Sequence, residues 1–201
     1  MRKFFCMLAP ITTCSAQWFG SLGLTIGAQN KPDKTPPTAK EILYNNQVSP
    51  TMGFDLSFGY EQPLANHILA LRPYLYLTNY HQLNRSYGKD HSPQPYIFTT
   101  KVGVGLNLLL NVITNMNSNN LFSLGIFAGA LGVENNYTQG RGFIYNWNLD
   151  LNAGIEIRYQ NSAIRVGGYI PMFPQYLKIN NNPILNNYQN FHIFINYAHY
   201  F

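Results

Sequence analysis

Eight charged residues recur on alternate positions of segments that otherwise read as strands: Asp55, Glu61, Arg72, Lys101, Asp150, Glu156, Arg158 and Arg165. Four are acids and four are bases. The clearest segment, Asn146 to Tyr159, sets Asn148, Asp150, Asn152, Gly154, Glu156 and Arg158 against Trp147, Leu149, Leu151, Ala153, Ile155, Ile157 and Tyr159. A period of two sends alternate side chains to opposite faces, so one row meets a polar space and the other an apolar medium. Two chemistries are open to the charged row. Balanced charges inside a narrow barrel would pair and fill it, because an unpaired buried charge is costly. The same charges could instead line a narrow ion pathway or gate. An eight-stranded barrel is just wide enough for side chains to fill, which favours the plug of ion pairs.

Catalytic sets are thin by comparison. A Ser–His mechanism needs a base about 3 Å from its nucleophile. His192 falls on the polar row of the last segment, which has no Ser, and the polar-row hydroxyls Ser57 and Thr78 form no recognisable motif with it. His81 and His91 stand ten residues apart among Arg85, Lys89 and Asp90, a spacing that suits a solvated loop better than a metal site. Both cysteines, Cys6 and Cys14, fall in an N-terminal leader, so thiol catalysis, Cys-ligated metals and disulfides drop out of the mature chain. No enzymatic activity and no cofactor are expected. Asn84-Arg85-Ser86 and Asn136-Tyr137-Thr138, the latter with Glu134 upstream, match a glycosylation pattern. Such short patterns recur by chance in an Asn-rich chain.

The elements that carry these rows are strands. Aromatics make up 15% and charged residues 10% of the 201 residues, where a soluble domain has roughly 25% charged. Yet no stretch approaches the roughly 18 uninterrupted apolar residues of a membrane helix. Alternation marks eight segments: 18–29, 51–61, 68–80, 96–111, 121–134, 146–159, 163–173 and 189–201. The connections 30–50, 81–95, 135–145 and 174–188 are long; 62–67 and 160–162 are short, and 112–120 is intermediate. Long outer loops alternating with tight turns are the habit of outer-membrane barrels. Trp18, Tyr60, Tyr80, Tyr96, Tyr145, Trp147, Tyr159 and Phe201 stand near strand ends, where interfacial girdles form. The expected fold is all-β: a transmembrane antiparallel up-and-down β-barrel of eight strands.

The ends of the chain agree. Met1-Arg2-Lys3 followed by an apolar run and Cys14-Ser15-Ala16 reads as a signal peptide over 1–16, leaving 17–201 as the barrel domain. The chain closes on Phe191, Ile193, Ile195, Tyr197, His199 and Phe201, one apolar row, of which Phe201, Tyr197 and Ile195 are the expected assembly signal. The inward row, Asn190, His192, Phe194, Asn196, Ala198 and Tyr200, offers one imidazole and no charge partner. Removing Arg2 and Lys3 from the 13 basic residues leaves 11 against 8 acidic ones, a small dispersed excess that gives no warrant for nucleic-acid binding.

With these segments in place, the chain resembles the Helicobacter outer membrane protein family. The resemblance rests on Leu71-Arg72-Pro73-Tyr74-Leu75-Tyr76-Leu77, on Val102 to Leu109, on Leu124 to Ala130, and on Asn152 to Arg158 followed by Val166-Gly167-Gly168-Tyr169-Ile170-Pro171. His199 departs from the aromatic or apolar residue usual there, and the large extracellular domain of that family's receptor-binding adhesins is absent. The resemblance implies the fold, the outer-membrane compartment and its assembly machinery, and no catalytic residues. The functional expectation is a monomeric structural or surface-interaction protein. It would meet outer-membrane lipid and lipopolysaccharide through its wall and a host surface, in an adhesion-related role, through its loops. A small porin or channel for ions or small solutes is the alternative.

Overall fold

The computed structural model describes residues 16–30, 48–64, 68–82, 97–117, 120–139, 142–173, 176–179, 182–186 and 189–201. All but the last residue of the expected leader over 1–16, the Pro-rich connection, and the loop bearing Arg85, Lys89, Asp90 and His91 lie outside them.

Alternation sets the strands. They are β1 (Gln17–Asn30), β2 (Val48–Leu64), β3 (Leu69–Gln82), β4 (Ile97–Asn117), β5 (Asn120–Gln139), β6 (Gly142–Tyr159), β7 (Ser162–Pro171), β8 (Tyr176–Ile179), β9 (Asn182–Asn186) and β10 (Gln189–Tyr200). All but β8 and β9 form one closed antiparallel barrel in the order β1-β10-β7-β6-β5-β4-β3-β2. Each barrel strand pairs with its neighbours in sequence, and the last returns to the first through Phe19↔Tyr200 and Leu24↔Ile195. Closure leaves no sheet edge across the wall, the condition for a sheet to span a bilayer.

The connections differ from the sequence reading in an instructive way. Residues 135–145 do not form a long loop: β5 and β6 stay paired out to Gln139↔Gly142. Likewise β4 and β5 pair down to Asn117↔Asn120 at the opposite end, so that connection is as tight as its neighbours. Strand tilt and stagger let this hairpin run past the shorter β7, whose pairing with β6 ends at Asp150↔Pro171. The last long connection holds the separate two-stranded sheet β8–β9, which alternation did not reveal. A bulge between Asn111 and Ile113 places Val112 and Ile113 both on the outside, breaking the alternation at the foot of β4.

The wall is inverted relative to a soluble domain. Leu22, Leu24, Leu75, Val104, Ile155 and Ile195 are exposed on its outer face, while Asp55, Arg72, Lys101 and Glu156 are buried inside. Trp18, Trp147, Tyr159 and Phe201 face outward near the strand ends, as expected for a girdle. Tyr80 does not: it is buried in the lumen, because it shares the inward parity of Arg72, Tyr74 and Tyr76. Tyr96 and the side chain of Tyr145 lie outside the described residues.

Candidate functional site: the charged lumen

Parity decides which side chains enter the lumen, and register decides which of them meet. All eight charges expected there are buried within it. They fall into two groups separated by a deck of rings.

The group nearer the chain termini contains Glu61, Arg72, Glu156, Arg158 and Arg165. Arg72 on β3 donates from Nη1 and Nη2 to the two carboxylate oxygens of Glu156 on β6, at 2.6 and 2.7 Å, and from Nε to Glu61 at 2.6 Å. Arg165 on β7 donates from Nε to Glu156 at 2.7 Å. Arg158 reaches Glu61 at 3.0 Å, Gln17 at 2.6 Å and the carbonyl of Gln160 in the β6–β7 turn at 3.0 Å. Paired guanidinium groups satisfy both acids through short, charge-assisted hydrogen bonds.

Above it lies an aromatic deck. Tyr76 and Tyr169 pack at 5.4 Å between ring centres, Tyr169 and Phe194 at 4.7 Å, and Phe127 and Phe194 at 6.2 Å. Tyr74 lies across Gly105, where a Cβ would stand 2.3 Å from its ring. The phenol accepts from Asn152 at 2.9 Å and donates to Asn107 at 3.4 Å. Glycine at 105 is therefore a demand of close approach.

The outer group holds Lys101, Asp150 and Asp55. Lys101 pairs with Asp150 at 2.7 Å, its ammonium 5.7 Å from the Tyr80 ring centre. Asp55 departs from the expectation of full pairing. Among the described residues it makes no ion pair, and it accepts from the Tyr76 hydroxyl at 3.0 Å. Parity alone could not show this, because Lys101 faces two acids and can close on one. His192 stacks on Tyr80 at 4.5 Å and lies over Gly27. Ser57 bonds to Ser21 and Thr78 donates to the Phe54 carbonyl, so neither hydroxyl is a partner of the imidazole.

Between the deck and the arginines is a void of about 20 Å³ touched by Arg72, Tyr74, Asn107, Arg165 and Asn196. That is room for about one water. A larger depression of about 770 Å³ lies on the outer wall among Leu22, Leu56, Leu75, Leu77 and Val102, and belongs to the lipid-contact surface. Among the described residues no group of His, Cys, Asp or Glu could hold a metal ion.

Of the terminal signal residues, Phe201, Tyr197 and Ile195 all face outward. The Phe201 amide donates to the Trp18 carbonyl at 2.9 Å, and the Tyr197 hydroxyl meets Ser162 at 2.8 Å. Tyr200, on the inward row, was missed as a polar partner. Its hydroxyl accepts from Arg72 at 2.7 Å and Arg165 at 2.8 Å. The sequence signal was an inward Tyr at the end of a strand that must close beside the hairpin whose strands carry Arg158 and Arg165. The Asn136-Tyr137-Thr138 pattern lies within β5, paired on both edges, a poor setting for an acceptor that needs a free loop. Asn84 lies outside the described residues.

No protein-family model matches the chain, and no curated protein does. Solved structures do. Neisserial surface protein A aligns with a TM-score of 0.51 at 12% identity, over 94% of this chain and 100% of that one. Ail, the attachment invasion locus protein of Yersinia pestis in complex with the heparin analogue sucrose octasulfate, aligns with a TM-score of 0.45 at 14% identity, over 93% and 99%. What the chain shares with the first of these is its fold, the small eight-stranded outer-membrane barrel.

Proposed function

We propose that this chain is an outer-membrane protein with a structural and surface-interaction role, acting through its outer connections on an anionic partner. One observation carries the reading: the distribution of charge. The lumen holds four acids and four bases and is neutral. The tight-turn connections 65–68, 118–119 and 160–161 contain no charged residue. The connections on the other side, with their β8–β9 sheet, carry Lys31, Lys34, Lys40, Arg85, Lys89, Arg141 and Lys178 against Asp33, Glu41 and Asp90; the remaining acid, Glu134, lies on β5 beside Trp147. The entire basic excess of residues 17–201 therefore belongs to one side of the wall. Such a surface attracts polyanions, a host glycan or the phosphates of lipopolysaccharide, with a strength that falls as salt rises.

The filled lumen supports this reading over the small pore, since ion pairs and packed rings occupy the bore. The remaining proposals rest on the sequence pattern: export through a leader over 1–16, monomeric insertion with the outward Phe201, Tyr197 and Ile195 read by the assembly machinery, and no catalysis. Kinship with the Helicobacter outer membrane protein family rests on the strand motifs around Arg72, Val104, Phe127, Ile155 and Tyr169 alone.

Proteoliposomes tested on sulfated-dextran beads decide the matter. The protein binds at low salt, and Lys31→Glu with Lys34→Glu and Lys40→Glu abolishes most of that binding. Equal retention of the charge-reversed protein, or binding indifferent to salt, would sink the proposal. Transfer of the same contrast to vesicles containing lipopolysaccharide, without retention on the beads, would identify the lipid phosphates as the partner.

A further inference from the structure

We propose that the Tyr200 hydroxyl is the lock that closes the barrel in register. The barrel has one seam that joins strands from opposite ends of the chain, β1 with β10. Along that seam the residues facing the lumen from β10 are His192, Phe194, Asn196, Ala198 and Tyr200. Only Tyr200 among them touches the arginine–glutamate group. It is fully buried, with 0% of its surface exposed.

The contacts of this one side chain tie β10 to four other strands. Arg72 on β3 and Arg165 on β7 both donate to its oxygen, at 2.7 and 2.8 Å. The phenol's own proton points to Glu156 on β6, 3.3 Å from one carboxylate oxygen. Arg158, also on β6, lies with its guanidinium carbon 3.6 Å from the Tyr200 ring centre, a close cation–π contact. Phe19 on β1, the register partner of Tyr200, packs against the ring at 5.9 Å. The backbone adds to this, because the Tyr200 amide donates to the Asn161 carbonyl in the β6–β7 turn at 2.8 Å.

This arrangement reads register. A slip of one residue along β1 would turn Tyr200 to lipid and bring His199 and Phe201 inward. A slip of two would keep the parity but carry the hydroxyl about 7 Å along the strand, out of reach of both guanidinium groups. Elsewhere on the seam the lumen contacts involve no ion pair: Thr25 bonds to a backbone carbonyl, His192 stacks on the Tyr80 ring, and Ala198 has no polar atom to place. The outward residues Phe201 and Ile195 meet lipid and discriminate register by being apolar, while the Tyr197 hydroxyl meets Ser162 on β7 and so reads the β7–β10 pairing rather than the seam. The hydroxyl of Tyr200 discriminates by position.

Tyr200→Phe tests this, since it keeps the ring over Arg158 and removes only the oxygen. Tyr74→Phe is the matched control, a buried lumen phenol whose bonds run to Asn107 on β4 and Asn152 on β6, away from the seam. The full chain is refolded into detergent micelles and amide exchange is followed by mass spectrometry, strand by strand. Tyr200→Phe accelerates exchange in β1 and β10 by about tenfold or more, the scale of a lost hydrogen bond to a charged group, and leaves β4 and β5 slow. Tyr74→Phe leaves the seam unchanged. No change in any strand, a uniform rise across the barrel, or the same pattern from both variants would overturn the proposal. If Tyr200→Phe yields no folded protein, Arg165→Lys withdraws one donor from the hydroxyl while leaving a cation for Glu156. Seam-confined acceleration in that variant supports the lock, and uniform or absent acceleration refutes it.

Discussion

Arg72 on β3 grips Glu156 on β6 through two hydrogen bonds, of 2.6 and 2.7 Å, across the width of the lumen. Strands that do not pair with each other are thereby tied together through the middle. Glu156 also takes Arg165, so a single carboxylate balances two guanidinium groups. Glu156→Gln strips Arg165 of its acid and leaves Arg72 to share Glu61 with Arg158, so three guanidinium groups face one buried carboxylate. A loss of about 3–5 kcal/mol is expected on urea unfolding in vesicles. A loss below 1 kcal/mol would mean that water reaches the group and the lumen is not sealed.

Lys101 and Asp150 pair more simply, one to one. Lys101→Met alone strands Asp150 beside the already unpaired Asp55 and costs about 3–5 kcal/mol. Replacing both, Lys101→Met with Asp150→Leu, restores most of that stability, because a desolvated pair is often no better than an apolar one. The double-mutant cycle on heat-modified gel mobility gives the coupling directly. Additive losses would show that the two groups do not interact.

Planar-bilayer recording of the intact protein gives no reproducible conductance steps, because the arginine–glutamate group and the aromatic deck occupy the bore. Discrete, voltage-independent steps would revive the pore.

The outward row of β3 passes Leu71, Leu75 and Leu77, and Leu75 is 61% exposed to what surrounds the wall. In vesicles Leu75→Arg costs about 2–4 kcal/mol, as at a bilayer midplane, while Trp147→Arg near the rim costs about 0–1 kcal/mol. Equal, small effects at both positions would contradict the membrane placement.

Gln160 adopts φ of 51° in the turn between β6 and β7. A residue with a Cβ is strained there, so Gln160→Gly stabilises by about 1 kcal/mol, read as a raised unfolding midpoint. A lowered midpoint would mean that the Gln side chain contributes more than the backbone strain removes.

Much of this molecule was written in parity. The rows around Asp150, Glu156 and Arg158 follow from alternation because one face of each strand meets lipid and the other does not. Parity also fixed Tyr80 as inward; its place near a strand end suggested a girdle, and the row it shares with Arg72 overrules that. Pairing across the lumen was less legible. Which acid takes Lys101 depends on tilt and stagger, which no local pattern encodes, and so Asp55 was left to a phenol. The hub at Tyr200 depends on β3, the β6–β7 hairpin and β10 meeting at one height. Loop lengths misled for the same reason. Residues 135–145 hold turn-formers and weak alternation, yet cross-strand pairing carries them as ladder to Gln139↔Gly142.

That ladder makes the rim uneven. Where β7 stops beside Asp150, β6 continues for a further stretch back to Gly142, on the order of 20 Å above its neighbour once tilt is allowed for. The barrel therefore has a front. Anything approaching along the membrane normal meets this stiff spar before it meets the bilayer. Anything approaching from the β7 side meets the connection that holds β8 and β9 instead of a barrel ladder, and the order of first contacts depends on the direction of arrival.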